Sequence, residues 1–208
     1  MRLLPTLICS IGLLVNGGFV SSATITVTTT EPGINADGLC SFAEAVENVR
    51  DGDVHSDCVA GSDGLNIIEL GQGETYFQRP GDLFHMLREF VIINGNGSTF
   101  DAMDQEDGWG TILFGFGDAI INDLTIKGST ADSGSSGGAI GVLAGRLSLN
   151  RCIVEDNVFG VRSEYSVIVA TDSAIRANGY GVMGWESDTT LIAFNTDFVG
   201  NHHATGGS

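Results

Sequence analysis

Residues 147–157 read LSLNRCIVEDN, and this stretch decides the fold because three other segments align with it without gaps. The matching segments are 119–129, 168–178 and 191–201, so the four copies begin 28, 21 and 23 residues apart. Self-similarity at such a short period is the signature of repeat proteins, in which each copy stacks on its neighbour.

The distribution of apolar residues within each copy predicts two short strands that meet at a corner. Apolar or small residues occupy the first and third positions, and then the sixth and eighth. A single strand alternates with a strict period of two, so this change of phase requires two strands. The fourth position is mostly polar and suits a bend. The stacked columns are Ala119, Leu147, Ile168 and Leu191; Ile121, Leu149, Ala170 and Ala193; Asn122, Asn150, Thr171 and Phe194; Leu124, Cys152, Ser173 and Thr196; and Ile126, Val154, Ile175 and Phe198.

The last position of each copy predicts a turn, because it holds Ser129, Asn157, Asn178 or Asn201. Asn tolerates left-handed backbone angles, and stacked side-chain amides can hydrogen-bond from coil to coil. A third strand should follow each turn, and fainter strands should form the earlier coils. These predicted strands are 138–143, 160–165 and 181–186 after the turns, and 65–70, 90–95 and 111–116 in the earlier coils.

The N-terminal region predicts a helix that closes one end of the stack. Ser41 and Glu44 form a capping box, with Ser41 as the N-cap residue. The helix should end near Arg50 and cover the strand edges of the first coil. Its apolar face would consist of Phe42, Ala45, Val46 and Val49. The sequence therefore predicts an all-β fold, a right-handed parallel β-helix with an N-terminal amphipathic capping helix.

The chain divides into three predicted segments. Residues 1–23 have the positive start, short apolar core and small residues of a signal peptide, with cleavage after Ala23; the alternative is a buried N-terminal helix. Residues 24–64 form the cap, and 65–208 form a β-helix of about six coils that is open or truncated at its C-terminal end. The expected location is secreted or at the cell surface.

The charge balance restricts the partners. The chain has 26 acidic and 9 basic residues, a formal net charge of −17. Such a surface repels nucleic acid and anionic lipid, and after signal removal we expect no membrane insertion. A glycan or a cell or matrix surface is the partner class that remains.

Export permits a disulfide, and Cys40 and Cys58 flank the predicted helix and a polar loop. We expect these two residues to be bonded. Cys152 belongs to an inward column and should be buried and free.

Two stretches of sequence resemble known families of exported proteins. Residues 25–31 (ITVTTTE), 35–41 (NADGLCS) and 44–46 (EAV) resemble the CSLREA module of bacterial surface β-helix proteins, with Phe42 and Ala43 in place of the family's Leu and Arg. Residues 137–140 (GGAI) and 198–201 (FVGN) resemble the repeats of polymorphic outer membrane proteins. These resemblances imply an exported or surface-displayed protein, often adhesive, with no catalytic residues to carry over.

An enzyme of the pectin-lyase-like type, either a lyase or a glycoside hydrolase, is the alternative. Residues 195–197 (NTD) match one triplet of the polygalacturonase-like hydrolases, but the sequence has no Asp-Asp pair and no Gly-His-Gly. The charged columns also have a structural use, because opposite charges on adjacent coils can pair. Those columns are Asp123, Arg151 and Asp172, and Lys127, Glu155 and Arg176.

Two groups of residues are candidate sites. The third strands place one set on a shared face, where Trp and Arg favour a contact surface; an ordinary solvent face is the alternative. An acidic loop is a candidate for calcium, with a solvated loop as the alternative, and no other cofactor is expected. The contact set is Arg162, Glu164, Met183 and Trp185, and the acidic set is Asp51, Asp53, Asp57 and Asp63. We therefore expect a non-catalytic, adhesin-like or glycan-binding protein.

Overall fold

The computed structural model describes residues 21–52, 54, 57–78, 90–105, 112–115, 117–130, 138–184 and 188–207. These residues form a parallel β-solenoid with one short helix near the N-terminus, which confirms the predicted fold. Every pair of neighbouring strands runs parallel.

The helix is α1 (Phe42–Asp51). The strands are β1 (Ser22–Thr26), β2 (Leu65–Glu69), β3 (Thr75–Phe77), β4 (Val91–Gln105), β5 (Ile112–Gly115), β6 (Asp118–Ser129), β7 (Ile140–Leu143), β8 (Arg146–Asn150), β9 (Ile153–Glu155), β10 (Phe159–Glu164), β11 (Val167–Thr171), β12 (Ala174–Arg176), β13 (Tyr180–Gly184), β14 (Thr190–Phe194), β15 (Asp197–Val199) and β16 (His203–Gly207).

The strands form the sides of the solenoid. The first side is the sheet β1-β2-β4-β6-β8-β11-β14, and the third side is the sheet β5-β7-β10-β13-β16. The second side follows the corner, where the end of β6 pairs with β9, β9 with β12, and β12 with β15. Each coil therefore places its strands directly on those of the coil before.

The predicted register of the repeat is confirmed. Leu147 lies beside Ala119 and Ile168, and Ile168 lies beside Leu191. After the corner, Val154 lies between Ile126 and Ile175. The inward positions of the first three copies, from Ala119 to Ile175, are buried, so the change of phase does mark two strands around one core.

The first corner is made by the residue after the fourth position. Asp123, Arg151, Asp172 and Asn195 all have positive φ, between 46° and 53°. Their side chains point outward and pair from coil to coil: Arg151 donates to Asp123 at 2.6 Å, and Asn195 donates to Asp172 at 2.6 Å. Such solvent-exposed contacts contribute little to stability.

The closing residues Asn157 and Asn178 are buried and Asn201 is half-buried, and one expectation about these Asn residues is wrong. The left-handed residue is the one before each Asn, namely Asp156 (φ 55°), Ala177 (φ 52°) and Gly200 (φ 68°). Turning the chain one residue earlier directs the Asn side chain into the core, where its amide bonds the next coil. Asn157 and Asn178 each donate to the side-chain oxygen of the following Asn at 3.0 Å. We call Asn157, Asn178 and Asn201 the inner amide ladder.

The helix closes the N-terminal end of the core as predicted. The Ser41 hydroxyl accepts from the backbone N–H of Glu44, and the Glu44 carboxylate accepts from the N–H of Ser41 at 2.8 Å. Gly52 ends the helix in the left-handed conformation. The Phe42 ring packs edge-on against Phe100 of β4, with centroids 5.0 Å apart. The helix face therefore belongs to the same core as the coils.

The predicted signal lies mostly outside the described residues, so it stays a prediction. Ser22 and Ala23 lie upstream of the predicted cleavage point, yet both pair with β2. The carbonyl of Ser21 also accepts from Leu65 N–H at 3.2 Å.

Cys40 and Cys58 form a disulfide, and Cys152 is free and buried, as predicted. The bond ties the segment just before the helix to the loop after it. The Asn48 side chain holds the same loop by donating to the carbonyls of Cys58 and Val59. Burial raises the pKa of the Cys152 thiol to about 11.

In the chain that remains after removal of the predicted signal, which begins at Thr24 and lacks Cys9, alkylation without reductant should therefore label none of the three cysteines of the native protein. Cys40 and Cys58 carry no thiol, and the Cys152 thiol is buried and protonated near neutral pH. Mass spectrometry after denaturation should then find one labelled cysteine, at Cys152. Labelling of Cys40 or Cys58 without reductant would contradict the pairing.

Replacing Cys58 by Ser should lower the free energy of unfolding by about 3 kcal/mol.

Candidate functional site

The third side brings together two of the predicted contact residues. Arg162 of β10 lies beside Met183 of β13 and beside Gly141 of β7, which is the predicted register. Glu164 ends β10 and is half-buried. Trp185 lies outside the described residues.

The expected exposure of this face is wrong. Arg162 is 3% exposed and Met183 is 9% exposed, and their neighbours Val161 and Val182 are also buried. The Arg162 guanidinium lies over the Phe159 ring, 5.4 Å from its centroid. Alternation identifies the core face of a strand, but it does not reveal that the other face is covered too. A binding role for these residues stays untested.

The first residues of three strands of the third side have aromatic rings, which form a stacked column. The Phe159 and Tyr180 rings stack with centroids 5.1 Å apart, and Tyr180 stacks on His203 at 4.6 Å. The ring faces contact one another, so offset stacking within the column stabilises adjacent coils. The ring faces are therefore mainly occupied by neighbouring rings.

The described acidic side chains of the predicted calcium loop make separate contacts with their own neighbours. Asp51 bonds the Arg50 guanidinium, and the Asp57 carboxylate accepts from the backbone N–H groups of Asp37 and Gly38. Asp63 lies near Gly52, and Asp53 lies outside the described residues. Within the part of the chain that the structure describes, no three His, Cys, Asp or Glu side chains are grouped to hold a metal ion. Calcium binding remains a prediction.

The hydrolase-like triplet also makes local contacts. Asn195 donates to Asp172, and the Thr196 hydroxyl donates to the carbonyl of Phe194 at 2.9 Å. Both interactions shape the corner of the last coil. Asp197 is exposed at the start of β15.

A cleft beside the start of the helix is too small for a ligand. It is lined by Pro32, Phe42, Tyr76, Phe77 and Phe100, and it encloses about 10 Å³. That volume holds about one water molecule.

The outer face of the first side carries a row of linked amides. Asn122 donates to the side-chain oxygen of Asn94 at 2.9 Å, and Asn150 donates to that of Asn122 at 2.9 Å. Asn94 in turn donates to the Glu69 carboxylate at 2.6 Å. These residues occupy equivalent positions on successive strands, so the row repeats about every 4.8 Å. We call Asn94, Asn122 and Asn150 the outer amide ladder.

The outer amide ladder retains unused hydrogen-bonding capacity. A side-chain amide has two N–H donors and two acceptor lone pairs. The ladder uses one donor and one acceptor of Asn122, and both Asn122 and Asn150 are only half-buried. Each rung can therefore present one donor and one acceptor to a molecule on the surface.

An aliphatic row runs parallel to the ladder, two residues earlier on each strand. Same-face residues two apart are about 7 Å from one another, so one ligand can touch both rows. The side chains are half-buried or, at Ile192, exposed. We call this row the aliphatic stripe; it consists of Ile67, Ile92, Ile120, Val169 and Ile192, with Ser148 between Ile120 and Val169.

Sequence reasoning did not recognise this surface as a site. It assigned the column of Asn122 and Asn150 to a bend, because polar residues favour corners. The recurrence of Asn at the same position on neighbouring coils, with Asn94 in the coil before, was the available signal.

Comparison of the chain with protein families, curated proteins and solved structures finds no match. The resemblances to the CSLREA module and to polymorphic outer membrane repeats therefore stay predictions. Among the described residues, no helix has the length and hydropathy needed to cross a membrane.

Proposed function

We propose that this chain is an exported, non-catalytic β-solenoid that binds a neutral glycan along the outer amide ladder and the aliphatic stripe. The observation that carries the proposal is the spare donor and acceptor on Asn122 and Asn150 beside an aliphatic row. Sugars present hydroxyl groups that both donate and accept, and C–H faces that pack on apolar side chains. A ladder with a regular repeat suits an extended polymer better than a single small molecule.

The charge of the chain favours a neutral ligand over an anionic one. The formal net charge is −17, and Glu69 lies at one end of the ladder. Of the two arginines at β8 and its corner, Arg146 is exposed and Arg151 is engaged by Asp123, whose carboxyl pKa is lowered by the hydrogen bond from Arg151. A uronic-acid polymer would meet repulsion here.

Three further observations support display outside the cell. The predicted signal peptide precedes the solenoid, the Cys40–Cys58 disulfide suits an oxidising compartment, and the two sequence resemblances are to exported proteins. An adhesin-like role, in which the solenoid holds a cell or matrix glycan, fits these features together.

Binding to an array of neutral polysaccharides tests the proposal. Replacing both Asn122 and Asn150 by Ala should weaken binding about tenfold or more, because two hydrogen-bonding rungs are lost. The matched control is Arg176→Gln, which alters an exposed residue on the second side. The control should bind as the unmodified chain does.

Two results of the binding experiment would contradict the proposed glycan site. Absence of binding to every neutral glycan, or equal binding by the Asn122→Ala/Asn150→Ala variant, would contradict the proposed site. Release of unsaturated or reducing ends from a uronic-acid polymer would instead support the lyase or hydrolase alternative.

A further inference from the structure

We propose that Asn96 is a site of spontaneous deamidation, at which the folded chain converts a side-chain amide into a carboxylate. The inference concerns one corner of the solenoid and is independent of the proposed glycan binding. It rests on the residue that follows Asn96, on the exposure of this corner and on the few contacts that hold the Asn96 side chain.

The reaction needs only the chain itself and water. The backbone nitrogen of Gly97 loses its proton and attacks Cγ of Asn96, so that a new C–N bond closes a five-membered succinimide ring. The Cγ–Nδ2 bond breaks, and the side-chain nitrogen takes up a proton and leaves as ammonia. Water then opens the ring at either of its two carbonyl carbons, which gives an aspartyl or an isoaspartyl residue. A glycine after the asparagine favours ring closure, because no side chain shields its nitrogen.

The dipeptide Asn-Gly occurs three times in the described part of the chain. The three asparagines are Asn94, Asn96 and Asn178. The dipeptide alone gives them equal reactivity, because the attacking nitrogen belongs to glycine in each case. A difference in rate between them in the folded chain therefore comes from the structure.

Asn96 and Gly97 lie at a corner that is longer than the equivalent corner of the next coil. Strand β4 has three residues here, 95–97, where β6 has one, Asp123. Both Asn96 and Gly97 are exposed and have positive φ, of 53° and 78°. Among the described residues other than its chain neighbours, no heavy atom lies within 4 Å of the position of a Cβ built at Gly97. The corner therefore protrudes, and solvent reaches both residues of the reacting pair.

Few contacts hold the Asn96 side chain. Its amide donates to the carbonyl of Leu70 at 2.8 Å and to the Glu69 carboxylate at 3.4 Å. The side chain must leave these partners and turn toward the Gly97 nitrogen before the ring can close. Hydrogen bonds at an exposed corner open readily, since water replaces the lost partners.

Asn178 has the same dipeptide but is held at both reacting groups. It is 2% exposed, and its amide donates to the carbonyl of Val154 and to the side-chain oxygen of Asn201. The N–H of Gly179 donates to the carbonyl of Asn157 at 2.8 Å, so the attacking nitrogen is engaged with the neighbouring coil. Ring closure at Asn178 requires this coil to open, and the opening of a core segment costs a large part of the free energy of unfolding.

Asn94 is restrained as a rung of the outer amide ladder. It is half-buried, donates to Glu69 at 2.6 Å and accepts from Asn122 at 2.9 Å. Gly95 is buried, and a Cβ built there would stand 2.5 Å from the carbonyl oxygen of Asp123. The next coil therefore packs closely on the peptide that would have to rotate for ring closure.

The product changes the charge of the corner at Asn96. A carboxylate at this position lies beside Glu69 and cannot donate to the Leu70 carbonyl. An isoaspartyl product also adds one carbon to the backbone of the corner. The negative charge beside the outer amide ladder therefore increases as the protein ages.

Incubation of the full 208-residue chain at mildly alkaline pH, followed by tandem mass spectrometry of its peptides, tests the proposal. In the folded chain, Asn96 should deamidate at least about tenfold faster than Asn94 or Asn178, because their reaction requires opening of packed coils. The rate should rise with pH, since the Gly97 nitrogen must lose its proton. Enzymatic methylation of isoaspartyl carboxylates should label the peptide that contains residue 96.

Three controls separate the effect of the structure from that of the dipeptide. In guanidinium chloride with a reductant, where the chain is unfolded, all three Asn-Gly pairs should react at similar rates. Asn195 is an exposed corner residue with φ 46°, but Thr196 follows it, so it should stay intact over the time in which Asn96 reacts. Asn96→Gln should abolish the product at this position, leave the other two pairs unchanged and retain the circular dichroism of the fold.

Two results would overturn the proposal. One is equal deamidation of Asn96 and Asn178 in the folded chain. The other is an Asn96 that stays intact in the folded chain while the unfolded chain reacts. Failure of the glycan-binding proposal leaves both measurements unchanged, because neither of them uses a ligand.

Discussion

Val154→Asp should prevent the chain from folding. Val154 is 0% exposed and lies between Ile126 and Ile175 in an inward column. A carboxylate there would be buried without a partner and should cost several kcal/mol. Because domains of this size are stabilised by only about 5–15 kcal/mol, circular dichroism of the purified variant should show loss of the β signal.

Asp172→Arg is the matched control, because it changes charge on the outward side of the same corner. Asp172 is exposed and accepts one hydrogen bond, from Asn195 at 2.6 Å. The substitution places a second guanidinium near Arg151 and should cost about 1 kcal/mol in denaturant unfolding. If Val154→Asp were tolerated as well as Asp172→Arg, the assignment of inward and outward columns would be wrong.

Asn178→Asp should destabilise the solenoid by about 3 kcal/mol, although it replaces one nitrogen by oxygen. The Asn178 amide donates to the carbonyl of Val154 at 2.9 Å and to the side-chain oxygen of Asn201 at 3.0 Å. A carboxylate donates to neither, so three oxygens would face one another in a buried site. Denaturant unfolding near pH 7 measures the loss. It should shrink near pH 4, where a protonated carboxyl regains one donor.

Asn150→Asp makes the same chemical change in the outer amide ladder. Asn150 is half-buried and donates to Asn122, so solvent can rehydrate the new carboxylate. Its cost should stay near 1 kcal/mol or below. Equal destabilisation by the two variants would mean that burial does not distinguish the inner ladder from the outer one.

The repeat made most of the fold predictable. Position in an eleven-residue copy determined which side chains point inward, because parallel coils place equivalent residues in one column. Leu147, Val154 and Asn157 therefore occupy the columns that the alignment gave them. The capping box at Ser41 and Glu44 was equally readable, since it depends on residues three apart in the chain.

The surfaces were less predictable because they depend on what lies beside each strand. Alternation did not show that Arg162 and Met183 are buried, since the cover comes from outside the strand. It also did not place the left-handed residue before Asn178, because that choice follows from the space the amide needs in the core. The outer amide ladder required the distance between neighbouring coils.

The sequence by itself determined the solenoid, its register, the capping helix and the Cys40–Cys58 pairing, because each follows from the type and spacing of residues along the chain. Only the tertiary structure decided which polar side chains are buried, as at Arg162, and which amides retain free hydrogen-bonding groups, as at Asn122. Exposure is a property of the packed coils, since a side chain is covered by residues that are remote in sequence.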